Sequence, residues 1–225
     1  MKRSLSLFIP LALALPAFAQ NLTLNNPDNS PYWGVRLGYD IAIPGKWHTA
    51  YGEGVNMYRN GSGISAGVVY NLPLKANLFF EPGVSVYYYG YSYKDLLISD
   101  SNGNIVDTDP KIKKFGVRLP LMVGYRFDLS ERLSVSAFTG PEAGYAFYGK
   151  VNVKQKEVLG ERFPYDVFGE YGQRRFNINW NIGAGIEVDY HWYVSVTGSF
   201  GLNDIQKNDI SFKEHRATVA IGYNF

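Results

Sequence analysis

The feature that most constrains the fold is an alternation of large apolar residues with polar or small ones. It is clearest in two segments, 115–127 and 176–190. In the first, every second residue from Phe115 to Phe127 is large and apolar, and the residues between them are Gly, Arg, Pro or Met. Successive side chains of an extended strand point to opposite faces. Each segment therefore predicts a β-strand with one apolar face and one polar or small face.

The same alternation predicts eight strands, at 32–43, 63–72, 77–91, 114–127, 133–148, 175–190, 192–202 and 213–225. The segments that connect them alternate in length. Short ones fall at 73–76, at 128–132 and around His191, and long ones at 44–62, 92–113, 149–174 and 203–212. An even number of strands with short turns at one end and long loops at the other is typical of outer-membrane barrels, whose short turns face the periplasm.

Alternation alone does not say which face points inward, and a soluble lipocalin-like barrel would enclose the apolar face. The lumen of an eight-stranded barrel is only just wide enough to be filled by side chains. Eight strands of large inward apolar residues would overfill it, whereas the polar and small face fits. Aromatic residues also lie at the ends of the apolar series, as Phe115 and Phe127 do, which is typical of membrane-interface belts. We therefore expect a closed antiparallel up-and-down transmembrane β-barrel.

The N-terminus predicts export. Residues 1–19 combine Lys2 and Arg3 with an apolar stretch at 5–15 and an Ala-Phe-Ala cleavage site, which is the pattern of a signal peptide. We assign 20–31 to an N-terminal periplasmic segment and 32–225 to the barrel. Removal of 1–19 leaves 20 basic residues (22 − 2) and 20 acidic residues. A neutral chain gives no electrostatic reason to expect a nucleic-acid partner.

Several segments carry a resemblance to a known family. Residues 80–83 (FEPG), 117–127 (VRLPLMVGYRF) and 140–145 (GPEAGY) resemble the PorT-type outer-membrane β-barrel domain. This resemblance implies an eight-stranded outer-membrane barrel and does not extend to a role in protein secretion. Residues 219–225, which stop on a terminal Phe, resemble the last strand recognised by the barrel-assembly machinery during biogenesis.

Three prolines interrupt the predicted strands, at Pro82, Pro120 and Pro141. Proline removes a ladder hydrogen-bond donor and is normally excluded from the middle of a sheet. We therefore expect local bulges or kinks at these positions.

The predicted inner face carries charges of both signs. They are Arg36, Asp40, Glu81, Arg118, Arg126, Glu142, Glu187 and Asp189, with Arg216 as a further candidate. Buried charge is costly unless it is paired, so their near balance favours a salt-bridged plug over a conduction path. If Phe127 pairs with Leu133, Arg118 and Glu142 lie opposite each other, and we expect them to form a salt bridge.

A second group of bases lies where the predicted strands meet the long loops: Lys113, Lys114, Arg174, Arg175 and Lys213. At that level a basic rim would face the phosphates of lipopolysaccharide. The alternative is an ordinary set of solvated loop bases. The expected partners are therefore outer-membrane lipid and lipopolysaccharide, together with a possible protein partner at the outer loops.

Candidate catalytic residues are few. The three histidines, His48, His191 and His215, have no metal-ligand spacing, and the chain contains no Cys. The loop acids are interspersed with Lys and Arg, as in solvated loops. We expect no cofactor, no metal and no enzymatic activity. The favoured function is a structural or interaction protein of the outer membrane. The alternatives are a narrow channel for ions or small solutes, an accessory of protein secretion, or a lipid-modifying enzyme.

Overall fold

A computed structural model of the protein describes residues 30–48, 54–94, 96, 98–99, 102–107, 110–130, 132–153, 165–170, 172–207 and 210–225. The predicted signal peptide and most of the segment 20–31 lie outside the described residues. Eight long strands are found within the described ranges. They are β1 (Tyr32–Pro44), β2 (Tyr58–Pro73), β3 (Leu78–Tyr93), β4 (Lys111–Ser130), β5 (Leu133–Asn152), β6 (Phe176–Val188), β7 (Trp192–Gly201) and β8 (Glu214–Asn224).

These strands close into a barrel. Each pairs antiparallel with its neighbours in sequence, and β8 pairs with β1, for example Arg36 with Gly222. The predicted all-β, closed up-and-down architecture of eight strands is confirmed. The described parts of the loops add three short strands: Ile98–Ser99 pairs with Ile105–Asp107, and Tyr165–Asp166 adds to β5. Across the described ranges, no helix is long and apolar enough to cross a membrane.

The connections differ between the two ends of the barrel, which we call the turn end and the loop end. At the turn end β4 and β5 are joined by residues 131–132 alone, because β4 runs to Ser130, three residues beyond the predicted end at 127, while β5 begins at Leu133 as predicted. The other two turns place Ala76 with Asn77, and Asp189 with Tyr190, at positive φ. Positive φ at both central residues is the mark of a type I′ hairpin turn, whose twist matches that of the strands.

The apolar face of the wall points outward. Leu37, Ile64 and Val196 are each more than half exposed, whereas Asp40 and Asn181 on the inner face are fully buried. A soluble barrel would show the opposite distribution. The prediction that small and polar side chains fill the lumen is therefore confirmed.

Aromatic side chains ring the outer wall at two levels. Near the turn end, Trp33 packs on Tyr70 with ring centroids 4.7 Å apart, and further rings lie nearby on β7 and β8. Near the loop end, Phe115 of β4 lies 6.2 Å from Phe147 of β5. This arrangement matches the two aromatic belts of a membrane-spanning barrel.

The prolines do not shift the strand register. Pro82 pairs with Leu121 of β4, and the same register continues beyond it. Pro120 and Pro141 likewise lie in uninterrupted register with their partner strands. Register shifts occur elsewhere, between Phe115 and Gly116 among other places. The predicted proline bulges are therefore wrong.

The loop end of the lumen is filled by apolar side chains that we call the loop-end cap. The cap combines strand residues with residues from the segments before β6 and before β8. Its members are Ala42, Tyr58, Tyr91, Ile112, Ala146, Val151, Val167, Phe168, Ile205 and Phe212. Backbone bridges between His48 and Ser211 and between Gln173 and Gln206 tie these segments together. The cap lies above the polar lumen.

Candidate functional site

The middle of the lumen is crossed by an ion pair between Arg118 and Asp40. Arg118 lies on β4 and Asp40 on β1, three strands away around the wall. The Arg118 guanidinium donates from Nη1 to Asp40 Oδ2 at 2.7 Å, and both side chains are almost completely buried. The Thr218 hydroxyl donates to the other carboxylate oxygen at 2.7 Å. Asp40 is thus held from opposite walls.

A second ion pair crosses the lumen at the same level. Arg216 of β8 donates from Nη2 to the two carboxylate oxygens of Glu142 on β5, at 3.1 and 2.9 Å. The Asn179 and Asn181 amides donate to the same carboxylate at 3.0 and 3.2 Å. Charge-assisted hydrogen bonds of this kind are stronger than those between neutral groups, and a low-dielectric interior strengthens them further.

The two pairs form one unit. Arg216 Nε lies 3.8 Å from Asp40 Oδ1. We call Asp40, Arg118, Glu142 and Arg216 the mid-lumen network. Loss of one member of such a buried set leaves an uncompensated charge, which costs several kcal/mol. The network therefore holds four strands at a fixed spacing.

Towards the turn end lies a second charged layer. Arg36 Nη2 lies 3.6 Å from Glu81 Oε2, and Arg126 Nη2 lies 3.7 Å from Glu187 Oε2. Tyr32 joins the second pair, because its hydroxyl accepts from Arg126 at 2.6 Å and donates to Glu187 at 3.2 Å. These contacts again connect strands that are not neighbours.

Towards the loop end a third layer lies beneath the cap. Lys114 Nζ contacts Glu214 Oε1 at 2.5 Å. The hydroxyls of Tyr89 and Tyr91 donate to the same carboxylate at 2.7 and 2.5 Å. Tyr91 also hydrogen-bonds Gln173. Because Tyr91 is itself a member of the cap, its bond to Glu214 ties the charged layer directly to the cap.

Two cavities flank the mid-lumen network in the described part of the lumen. One cavity of about 40 Å³ lies towards the loop end. Another of about 140 Å³ lies on the other side of the mid-lumen network. Arg118 and Arg216 line both cavities, so their guanidiniums form part of the partition. A cavity of about 140 Å³ can hold water or a molecule of about the size of benzene.

The predicted salt bridge between Arg118 and Glu142 is wrong. The hairpin turn is tighter than expected, so Phe127 pairs with Val135, and Arg118 lies opposite Gly144. The shift is two residues, which keeps both side chains on the lumen face because the side-chain period of a strand is two. The charges find partners across the lumen instead.

Asp189 does not belong to the lumen set. Strand β6 ends at Val188, and Asp189 takes positive φ in the turn that follows. Its exposed carboxylate lies 3.8 Å from Arg132 Nε of the neighbouring turn. The other predicted lumen charges, and Arg216, lie in the three layers described above.

Lys114 does not belong to the basic rim. Its side chain is 3% exposed and pairs with Glu214 inside the barrel. It shares the even-numbered inner face of β4 with Arg118, whereas Lys113 is exposed on the outer face.

The remaining rim bases differ in their surroundings. Arg174 is exposed and Lys213 is half-buried. Arg175 donates to the backbone carbonyls of Ala146 and Phe147 and is 3.4 Å from Asp166.

The histidines lie apart from one another. His48 bridges Ser211 through the backbone, His191 lies in the β6–β7 turn, and His215 is on β8, where its ring faces Phe200. In the described part of the chain, no group of three His, Cys, Asp or Glu residues could hold a metal ion.

Sequence reasoning missed several lumen residues. Glu214, Tyr89 and Tyr91 complete the layer beneath the cap, and Asn179 and Asn181 support Glu142. Strand parity offered the signal for the asparagines, since they alternate with the apolar residues of β6. The tyrosines offered no such signal, because between Tyr87 and Tyr91 the same residue type occurs on both faces of the strand.

The sequence also matches the profile of a known protein family. The sequence profile described as "Outer membrane protein beta-barrel domain" matches residues 18–207. The chain belongs to this family. This protein is therefore a β-barrel of the bacterial outer membrane. The narrower PorT-type resemblance stays a prediction.

Solved structures of other small barrels are similar in fold. They include Ail of Yersinia pestis in complex with the heparin analogue sucrose octasulfate (14% identity, TM-score 0.41, 87% of this chain and 99% of that chain). Neisserial surface protein A matches at 12% identity and a TM-score of 0.44, over 86% and 97%. OprG of Pseudomonas aeruginosa matches at 10% and 0.45, over 88% and 97%. At these values the likenesses carry no argument about function. No curated protein matches the chain.

Proposed function

We propose that this protein is a closed outer-membrane barrel with a structural or interaction role, without steady conduction and without catalysis. The observation that carries the proposal is the occupied lumen: three layers of ion pairs lie beneath an apolar cap. Function would then be exerted by the outer wall and the loops.

The charge balance of the lumen supports a plug. Among the described residues, the lumen contains five paired cations, Arg36, Lys114, Arg118, Arg126 and Arg216, and five anions, Asp40, Glu81, Glu142, Glu187 and Glu214. Each cation lies within 4 Å of a carboxylate oxygen. Ion-conducting pores place charges of one sign along a water-filled path. The pairing of opposite charges across this lumen favours a plug instead of such a path.

The cap supports the same conclusion at the loop end. Phe212, Ile205 and Ile112 are almost wholly buried there. A solute entering from that side would have to displace close-packed apolar side chains, which costs both dispersion contacts and hydrophobic stabilisation.

A non-catalytic role fits the state of the lumen carboxylates. General acid–base chemistry needs a group within reach of a substrate. Glu142, Asp40 and Glu214 are each held by a cation and by neutral donors, beside cavities of about 40 and 140 Å³ that are too small for a lipid substrate. Lipid A mass spectrometry of cells with and without the gene tests this point, and we expect identical lipid A species.

Conductance in planar lipid bilayers tests the closed lumen. We expect no steady current from the purified protein, while an open porin inserted in the same bilayers conducts. Replacement of all four members of the mid-lumen network by Ser, which leaves no unpaired charge among them, combined with Phe212→Ser, should create a measurable current. Discrete conductance steps from the unmodified protein would establish the channel alternative.

An interaction role is tested by site-specific crosslinking in intact cells. The chain has no Cys, so one can be introduced at Asn102 at the loop end or at Lys75 at the turn end. If a protein partner binds the loops, a crosslinked species should form from Asn102→Cys and be missing from Lys75→Cys. Identical patterns from the two variants would count against a partner at the loops.

A further inference from the structure

The outer wall carries an apolar groove of about 670 Å³ that spans β8, β1, β2, β3 and β4. Its floor is Ala66 of β2, which pairs with Leu37 of β1 on one side and Val86 of β3 on the other. Both neighbours point outward and are about half exposed. A methyl group between two larger side chains lowers the surface there and makes a channel along the wall.

A polar notch of about 320 Å³ lies next to the groove, on its loop-end side. Ser62 pairs with Gly90, and Gly90 pairs with Lys113, so two small residues lie beside a lysine. Lys111 lies two residues further along the same outer face. The notch lining, as far as the structure describes it, contains these two lysines and no carboxylate.

The groove and the notch meet at Tyr88, which lines both. Ala66 and Ser62 are four residues apart on β2, which corresponds to about 13 Å along a strand. Phe115 of the loop-end aromatic belt lies beside Tyr88. The apolar groove is therefore at the level of the hydrocarbon and the basic notch is just beyond the membrane interface.

We propose that this surface is a binding site for lipid A, with an acyl chain in the groove and a phosphate against Lys111 and Lys113. The combination of an apolar channel, an aromatic ring and a cationic notch matches the order of an acyl chain, an interface and a phosphorylated head group. The site is on the outer wall, so it does not depend on whether the lumen is closed.

The register favours a head group with two phosphates over one with a single phosphate. Lys113 pairs with Lys150 of β5, whose ammonium lies over the Tyr148 ring. Lys111 and Lys113 thus lie on successive outward positions of β4, and Lys150 lies beside Lys113 on β5, with Asp166 opposite Lys150 on its other side. A single phosphate can contact part of this group, whereas the two phosphates of lipid A can contact lysines on both strands.

Native mass spectrometry of the full barrel released from detergent tests the site. The probes are an equimolar mixture of lipid A, monophosphorylated lipid A and phosphatidylglycerol. We expect lipid A to be retained preferentially and monophosphorylated lipid A to be retained less. Lys111→Gln and Lys113→Gln should each lower lipid A retention by about fivefold, since a surface lysine contributes about that factor towards an anionic lipid.

Ala66→Phe should also lower retention of lipid A, because the ring fills the groove. Ala184→Phe on the outer face of β6 and Lys75→Gln at the turn end are the matched controls and should leave retention unchanged. Heat-dependent gel mobility shows that each variant is folded, and Ala66→Leu replaces Ala66→Phe if the latter does not fold. Equal retention of phosphatidylglycerol and lipid A, or retention unaffected by both the groove and the lysine variants, would overturn the proposal.

Discussion

Arg118 on β4 donates to Asp40 on β1 at 2.7 Å, across the lumen. The two residues are 78 positions apart in the chain. Because both side chains are buried, removal of either partner alone should cost far more stability than it would at an ion pair on the surface.

A double-mutant cycle on Arg118→Met and Asp40→Asn tests this contact. Each single change should lower the free energy of unfolding by roughly 3–5 kcal/mol, because it leaves one buried charge unpaired. The double variant should lose much less than the sum, and urea unfolding in lipid vesicles measures all four forms. The exposed pair of Arg132 and Asp189 is the control, with little coupling expected. Additive losses for the lumen pair would mean that the two side chains do not interact.

The closed sheet predicts resistance to unravelling in detergent. A barrel in which β8 pairs with β1 has no free edge from which strands can separate. The unboiled protein should therefore run at a different apparent size from the boiled protein on SDS gels. A chain with the same mobility in both conditions, recovered from the soluble periplasmic fraction, would not be a membrane barrel.

The orientation of the barrel can be tested by labelling whole cells with a membrane-impermeant maleimide. Short turns face the periplasm in outer-membrane barrels, so Asn102→Cys should react in intact cells. Lys75→Cys, in the turn between β2 and β3, should react only after the outer membrane is permeabilised. The reverse pattern would place the turn end outside the cell.

The turn at Ala76 offers a prediction about stability. Ala76 has φ of 56°, a conformation in which a Cβ atom is strained and glycine is not. Ala76→Gly should therefore raise the free energy of unfolding by about 0.5–1 kcal/mol, after the larger entropy of glycine in the unfolded chain is subtracted.

Urea unfolding in vesicles measures the change at Ala76. Ala184→Gly, within strand β6, is the control, and it should lower stability because glycine weakens a strand interior. A loss of stability at both positions would show that Ala76 is not strained.

The alternation of residues was sufficient to predict the barrel, since it depends only on the period of a strand and on the volume of the lumen. The same reasoning placed Arg36, Asp40 and Glu187 on the inner face. It did not predict which charges meet, because the partners of Asp40 are on strands far from it in sequence. That choice depends on the register of every intervening strand. A two-residue error at one turn was enough to misplace Glu142 relative to Arg118.

Lys114 shows a different limit of prediction from the sequence. Its position at the end of a predicted strand made it a candidate for the rim, although its even number places it on the inner face. The strand continues to Lys111, so parity rather than distance from the strand end decides its direction. Lys113 and Lys114, one residue apart, thus lie on opposite sides of the wall.

The connectivity of the mid-lumen network has a consequence for the order of assembly. Its strong contacts join β1 to β4 and β5 to β8, so no single hairpin contains a complete pair. A hairpin inserted alone would carry a lone charge into hydrocarbon, where burial without a partner is prohibitive. The strands must therefore enter the bilayer together. A chain that lacks β8 would leave Glu142 without Arg216, and we infer that such a chain stalls before insertion instead of forming a smaller barrel.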